Sequence, residues 1–101
     1  MTTMRVGVIG NPVAHSLSPV FQQPAFDALG IAASYERWHT SLEQLPDRIA
    51  SLREPDALGA NVTVPHKTAV LELVDEPSDL GARIGAINTI INQGGRLLGF
   101  L

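Results

Sequence analysis

Blocks of apolar residues alternate along the chain with polar and glycine-rich stretches, and this pattern predicts five strands. The run RVGVIG, Arg5–Gly10, contains β-branched residues and ends at a glycine, as buried strands do. Residues 57–64, ALGANVTV, have the same character. In residues 33–40, ASYERWHT, polar and aromatic residues alternate, which predicts a less buried edge strand. Residues 86–101 hold two apolar runs around Gln93-Gly94-Gly95 and predict a hairpin.

The segment between the first two predicted strands is expected to form a helix over residues 18–30. Ser18 can cap it, Pro19 suits the first helical position and Gly30 ends it. Pro24 is expected to kink or shorten this helix. Four residues are expected to supply its apolar contacts: Val20, Phe21, Phe26 and Leu29.

Three further helices are predicted. Ser41 and Gln44 have the spacing of a capping box before a helix at residues 42–52, HKTAVLELVD at residues 66–75 predicts a third helix, and residues 78–85 predict a shorter one. Four apolar residues share one face of the second helix: Leu42, Leu45, Ile49 and Leu52.

This order of elements predicts an α/β fold with three layers, α/β/α, and a mainly parallel sheet that ends in an antiparallel hairpin. A length of 101 residues with 45% hydrophobic and 17% charged residues fits one packed domain over residues 1–101. A net charge of −3 offers no basic surface for nucleic acid or a membrane, and no apolar run is long enough to span a bilayer. The absence of cysteine and of a signal-peptide pattern favours a cytoplasmic protein.

Ligands bind such sheets beyond the carboxyl ends of the parallel strands, which here selects residues 10–18, 63–67 and 86–89. In the first loop, Ser16 and Ser18 can direct two hydroxyl groups at a polyol or carboxylate, although Ser18 can equally be only a helix cap. Lys67 is predicted to lie in the first turn of the third helix, where the helix dipole disfavours a cation. This position suggests a general base or proton shuttle, while the alternative is a solvated surface lysine.

Polar residues within apolar strands need hydrogen-bond partners, which a bound ligand or the neighbouring backbone can supply. Asn61 and Thr63 share one face of the third strand, and Asn88 stands at the start of the hairpin with Thr89. The residues thus predict a cleft for a small hydroxylated molecule, lined by Ser16, Ser18, Asn61, Thr63, Lys67 and Asn88. GVIGNP does not follow the glycine pattern of a dinucleotide turn, and the three histidines lack the spacing of metal ligands.

The chain closely resembles the N-terminal substrate-binding domain of shikimate dehydrogenase in three motifs. They are GNPVAHSLSP, GANVTVPHK and IGAINT, and they match in this order and at these separations. The resemblance implies NADP-dependent interconversion of 3-dehydroshikimate and shikimate, on the route to chorismate and aromatic amino acids. It implies that Ser16 and Ser18 contact the substrate carboxylate, that Thr63, Asn61 and Asn88 bind substrate, and that Lys67 is catalytic. The position after Pro65 varies in the family, so His66 receives no role.

The family pattern continues after the hairpin with G-x-N-T-D, whose Asp pairs with the Lys in proton transfer. Here Leu101 stands where that Asn would be, and neither the Asp nor the nucleotide-binding domain follows. The isolated chain is therefore expected to bind no NADP and to be inactive. Alternatives are a non-enzymatic module for shikimate or quinate, one half of a split enzyme, or a paralogue acting on quinate or an amino analogue. Self-association is expected through an apolar edge made of Leu97, Leu98, Phe100 and Leu101.

Overall fold

A mixed sheet of six strands forms the centre of the molecule in the computed structural model, which describes residues 3–101. Its strand order is β2-β1-β3-β5-β6-β4. β1 pairs in parallel with β2 and β3, whereas β5 runs antiparallel to both β3 and β6. The predicted fold class, with its terminal hairpin and its edge strand β2, is confirmed. The strands are β1 Met4–Gly10, β2 Ala33–His39, β3 Ala57–Val62, β4 Glu76–Pro77, β5 Thr89–Gln93 and β6 Arg96–Phe100.

Helices cover both faces of the sheet because β1, in its interior, buries side chains on both sides. Val6 and Val8 point to the face that carries α1, Ser18–Ala28, whereas Ile9 points to the face that carries α2, Leu45–Ser51. The larger core lies on the α2 side and includes the side chains of α2, β5 and β6. These are the three layers expected from the sequence. Among the described helices, none combines the length and apolarity that crossing a membrane requires.

The first helix differs from its prediction in how it packs. Ser18 is its first residue rather than its cap, since Leu17 holds the N-cap position and no side chain caps the end. Val20, Phe21 and Leu29 are exposed, and only Phe26 packs against the sheet.

Hydrogen bonds from Gln23 attach this helix to the sheet edge. Its side-chain amide donates to the Ala33 carbonyl at 2.8 Å and accepts from the Tyr35 N–H at 2.7 Å. The bonds engage two backbone groups of β2, an outer strand, so they replace part of the missing strand partner.

The third predicted helix is wrong in type and extent. Only one 3₁₀ turn, Ala69–Glu72, forms in this segment, and Lys67 precedes it. Both ends of the segment bond elsewhere, since the Lys67 carbonyl accepts from the Ile87 N–H at 2.8 Å and the Asp75 N–H donates to the Leu97 carbonyl at 2.9 Å. The chain then continues as β4, which pairs with β6. The argument that placed Lys67 at the positive end of an α-helix therefore does not hold.

The capping box is confirmed, although the helix after it is shorter than predicted. Ser41 Oγ accepts from the Gln44 N–H at 3.2 Å, and Gln44 Oε1 accepts from the Ser41 N–H at 3.0 Å. These bonds form a turn, and α2 begins at Leu45, so Leu42 stays exposed. The short fourth helix is confirmed as α3, Asp79–Ile84, where Ser78 Oγ accepts from the Gly81 N–H at 3.0 Å.

The apolar edge expected to drive self-association is smaller than predicted. Leu97 is fully buried in the core between the sheet and α2, so it cannot contribute to an exposed patch. Leu98 is half-buried, while Phe100 and Leu101 are 38% and 36% exposed. Self-association through the remaining residues stays a prediction.

Asp75 joins the segment after α2 to the hairpin, and its ionisation makes the stability of the fold depend on pH in the acidic range. Its carboxylate accepts from the Leu97 N–H at 2.7 Å and pairs with Arg53, and these bonds, Arg53 first, lower the pKa of Asp75 from 3.8 to about 2. A depressed carboxylate pKa contributes stability that is complete above pH 3.8 and is lost as pH falls through about 2.

We expect Asp75→Asn to be less stable than wild type in urea unfolding at neutral pH, and the difference in the free energy of unfolding to shrink between pH 4 and pH 2. A difference that stayed constant over this range would contradict the assignment, and Asp47→Asn on the exposed side of α2 is the control.

Candidate functional site

The ends of β1 and β3 meet the start of β5 at one edge of the sheet. Thr63 donates its N–H to the Ile9 carbonyl at 2.9 Å, Asn11 donates to the Val64 carbonyl at 3.1 Å, and the Val62 N–H donates to the Asn88 carbonyl at 2.9 Å. These backbone bonds hold the three predicted loops together. They leave a cleft of about 290 Å³ above the strand ends.

Five of the six predicted site residues line this cleft. β3 and the residue that follows it supply Asn61 and Thr63 from one wall, and α1 supplies Ser18 from another. Polar atoms dominate the lining, which suits a hydroxylated molecule better than an apolar one. The lining residues are Val8, Ser18, Gln22, Asn61, Val62, Thr63, Lys67, Asn88 and Thr89.

Ser16 is the predicted residue that the structure does not place in the lining. Its Oγ accepts from the Ser18 N–H at 3.2 Å, and its carbonyl accepts two bonds from the Arg37 guanidinium at 2.7 and 3.1 Å. Ser16 thus organises the start of α1, while Ser18 lines the cleft with its hydroxyl close to the Tyr35 phenol. Of the two alternatives for Ser18, a cap or a cleft residue, the structure has the second.

Lys67 is the single lysine of the chain, and it is half-buried in the cleft. Its backbone carbonyl accepts from the Ile87 N–H at 2.8 Å, which ties its loop to the segment before β5. Within residues 3–101 no carboxylate lies within 4.0 Å of its ammonium group. The cleft therefore holds one cation that the described residues do not neutralise.

His66 has a structural position beside Lys67. The imidazole is fully buried, and its Nε2 lies 2.5 Å from the carbonyl oxygen of Thr40, to which it must donate. Thr40 in turn donates its N–H to the Gly10 carbonyl at 2.9 Å. The bond thus connects the loop that carries Lys67 with the ends of β1 and β2.

Two residues near the cleft, Gln22 and Tyr35, are not among the six predicted. Gln22 follows Ser18 by four residues on α1, so helical spacing could have identified it. Tyr35 is 7% exposed, and its phenol donates to Asn61 Oδ1 at 2.6 Å. Burial raises the pKa of Tyr35 above its ordinary value of 10.0, and the Ser18 hydroxyl opposes this in part. Only the strand order reveals this contact, since the tyrosine must reach across β1 to β3.

The turn after β1 does not have the form of a phosphate-binding loop. A Cβ added at Gly10 would lie 2.5 Å from Thr63 Cγ2 and 2.8 Å from Val13 Cγ1. This glycine is needed for contact with the neighbouring loop, and side chains already fill the space where a pyrophosphate would approach. We assign no nucleotide-binding residue within residues 3–101.

Residues 8–90 match the family model described as the shikimate dehydrogenase substrate binding domain. The chain belongs to this family. Similar curated proteins include the NADP-dependent shikimate dehydrogenases of Geobacillus sp. strain WCH70, 50% identical over 92% of this chain, and of Symbiobacterium thermophilum, 44% identical over 94%. Shikimate 5-dehydrogenase from Thermus thermophilus, solved with NADP(H) and shikimate, superposes with a TM-score of 0.91 at 46% identity over 97% of this chain and 37% of that one. The chain spans about a third of the length of the curated relatives, 34% and 32%.

Tyr35 is the single tyrosine of the chain, so its ionisation can be followed by the ultraviolet absorbance of the phenolate. Because burial disfavours the charged form, we expect it to titrate above 10.0 in the folded chain. The urea-unfolded chain should titrate at the ordinary value. Equal titration in the two states, with circular dichroism confirming the fold, would contradict the buried position.

Proposed function

We propose that this chain is the substrate-binding part of an NADP-dependent shikimate dehydrogenase and that its cleft binds shikimate and 3-dehydroshikimate. The observation that carries the proposal is the placement of the single lysine among six polar side chains in a cleft of about 290 Å³. A volume of roughly 300 Å³ is at the small end of ligand pockets, which fits one substituted ring. Family membership supports the same ligand, since relatives bear that name.

The polar groups fall into two sets on opposite sides of the proposed ligand. Ser18 faces the cleft from α1 and is proposed to bind the carboxylate, with Ser16 behind it. Asn61 and Thr63 on the sheet side, with Asn88, are proposed to bind ring hydroxyls. This arrangement suits a ring acid, because its carboxylate and its hydroxyl groups project from different edges of the ring.

Lys67 is proposed to exchange the proton of the hydroxyl group that is oxidised. In the reverse direction its ammonium donates a hydrogen bond to the ketone oxygen and then the proton. NADP supplies the hydride chemistry in the complete enzyme, and residues outside this chain are proposed to hold it. Since no described carboxylate pairs with Lys67, we propose that the isolated chain binds ligand without turnover.

A second candidate function is ligand binding without catalysis, either as a binding module or as one part of a split enzyme. It is favoured by the absence, within residues 3–101, of a carboxylate within 4.0 Å of the Lys67 ammonium group. Quinate and amino analogues also carry a carboxylate and ring hydroxyl groups, so the same cleft can accept them. Comparing shikimate with quinate in calorimetric titrations distinguishes these ligands.

Ligand binding can be measured on the chain itself through its amines. Lys67 and the N-terminal amine are the primary amines available for reductive methylation. We expect millimolar shikimate to slow methylation of Lys67, because the ligand covers its ammonium group, and to leave the N-terminal amine unchanged as an internal reference. Benzoate, a ring acid without hydroxyl groups, is the matched control ligand. Equal rates of Lys67 methylation with and without shikimate would count against binding in this cleft.

The catalytic role of Lys67 requires a chain with a nucleotide-binding domain. Residues 1–98 joined to that domain of the Geobacillus relative should form NADPH in the presence of shikimate. We expect Lys67→Met to lower kcat by about 10²–10⁴-fold, since a positioned proton-transfer group contributes that much. Arg83→Met, which removes an exposed cation from α3, is the control and should retain activity. Full turnover by the Lys67 variant would show that this role is wrong.

A further inference from the structure

We propose that Tyr35 is a positioning residue that fixes the side-chain amide of Asn61 with its Nδ2 toward the cleft. The cleft would then present a hydrogen-bond donor at this point and select ligands with an acceptor oxygen there. The ligand part of this inference rests on the proposed function, whereas the orientation of the amide does not.

The chemistry of the two side chains sets the direction of their hydrogen bond. A phenol has one hydrogen to donate, and an amide oxygen can only accept. With Tyr35 Oη 2.6 Å from Asn61 Oδ1, the phenol hydrogen lies between these two atoms. Within residues 3–101, Asn61 Nδ2 takes part in no hydrogen bond, and Asn61 lines the cleft. Its two hydrogens therefore remain for a ligand.

Tyr35 can act as a fixed reference because its own position is secured at both ends. Its N–H donates to Gln23 Oε1 at 2.7 Å, and its ring packs with Val6, Val8 and Ala33. Without the phenol, an asparagine amide can rotate by 180° and present either group, since the two orientations fill the same volume. Tyr35 favours one of the two orientations before a ligand arrives, because Asn61 Oδ1 gives the buried phenol hydrogen an acceptor and Nδ2 does not.

The buried position of Tyr35 limits its role to orienting the side-chain amide of Asn61. Tyr35 is buried and does not line the cleft itself, so it is expected to leave the ligand untouched. Asn61 lies on β3 opposite Val8 on one side and Thr89 on the other, so its backbone is fixed by both neighbours. The rotation of one amide group is thus the freedom that Tyr35 controls.

The orientation can be tested without any ligand, because the chain has one tyrosine. If Asn61 Oδ1 accepts from the phenol, it stabilises the neutral form, and Asn61→Leu should lower the pKa of Tyr35. If Nδ2 faced the phenol instead, it would stabilise the phenolate, and the same variant should raise that pKa. Leucine keeps the branching of asparagine at Cγ and forms no hydrogen bond. Its methyl groups can only desolvate the phenol further, which raises the pKa and so opposes the expected fall. A rise or no change overturns the proposal, and Thr89→Val, beside Asn61 but without a bond to the phenol, is the control.

The consequence for the ligand is tested with Tyr35→Phe, which keeps the ring and its packing. We expect the Kd for shikimate to rise by about 3–10-fold, the effect of one hydrogen bond that is no longer pre-oriented. In the Tyr35→Phe background, Asn61→Leu should weaken binding less than it does in wild type, because both variants act on one interaction. Additive losses, or unchanged affinity in Tyr35→Phe, would overturn the positioning role.

The two experiments separate this inference from the proposed function. If wild type does not bind shikimate at all, the proposed function fails for the isolated chain, while the phenol titration still decides the orientation of Asn61. If wild type binds and the titration shifts upward, the proposed function stands and the positioning role is lost.

Discussion

The register of β3 between β1 and β5 is the constraint on which the cleft depends. β3 is the strand where the sheet changes from parallel to antiparallel pairing, with Asn61 opposite Val8 on one side and Thr89 on the other. Side chains alternate along a strand, so a slip of one residue would turn Asn61 away from the cleft and insert its apolar neighbour. Gly59 helps to hold this register, because a Cβ there would lie 2.0 Å from the Ile90 carbonyl oxygen. The backbone of β5 can therefore approach β3 only where the side chain is missing.

The loops depend on the same strands for their positions. Lys67 lies outside regular structure, yet Ile87 fixes its carbonyl and His66 beside it is anchored to Thr40. A loop held by both backbone and buried side-chain bonds loses little further freedom when a ligand binds. This explains how the single cation of the cleft can be placed accurately without being part of a helix.

The sequence predicted the features that short-range patterns determine. The hairpin around Gly94, the capping box at Ser41 and the edge character of β2 follow from turn chemistry, spacing and alternation, and each is confirmed. The third helix was wrong because both ends of its segment bond to the backbone of distant residues, Lys67 to Ile87 and Asp75 to Leu97, and sequence periodicity does not reveal such bonds. The contact between Tyr35 and Asn61 could not be predicted, since it joins strands that are 26 residues apart in sequence and separated by β1.

The two walls of the cleft differ in how firmly they are held. On the sheet side, Asn61 belongs to a strand with partners on both sides. On the other side, α1 has no fully buried residue, and Phe26 and the Gln23 bonds are its main attachments to the sheet. Elements with few buried apolar contacts open at low free-energy cost. We therefore infer that the wall carrying Ser18 and Gln22 adjusts to a ligand, while the sheet wall fixes where the ligand lies.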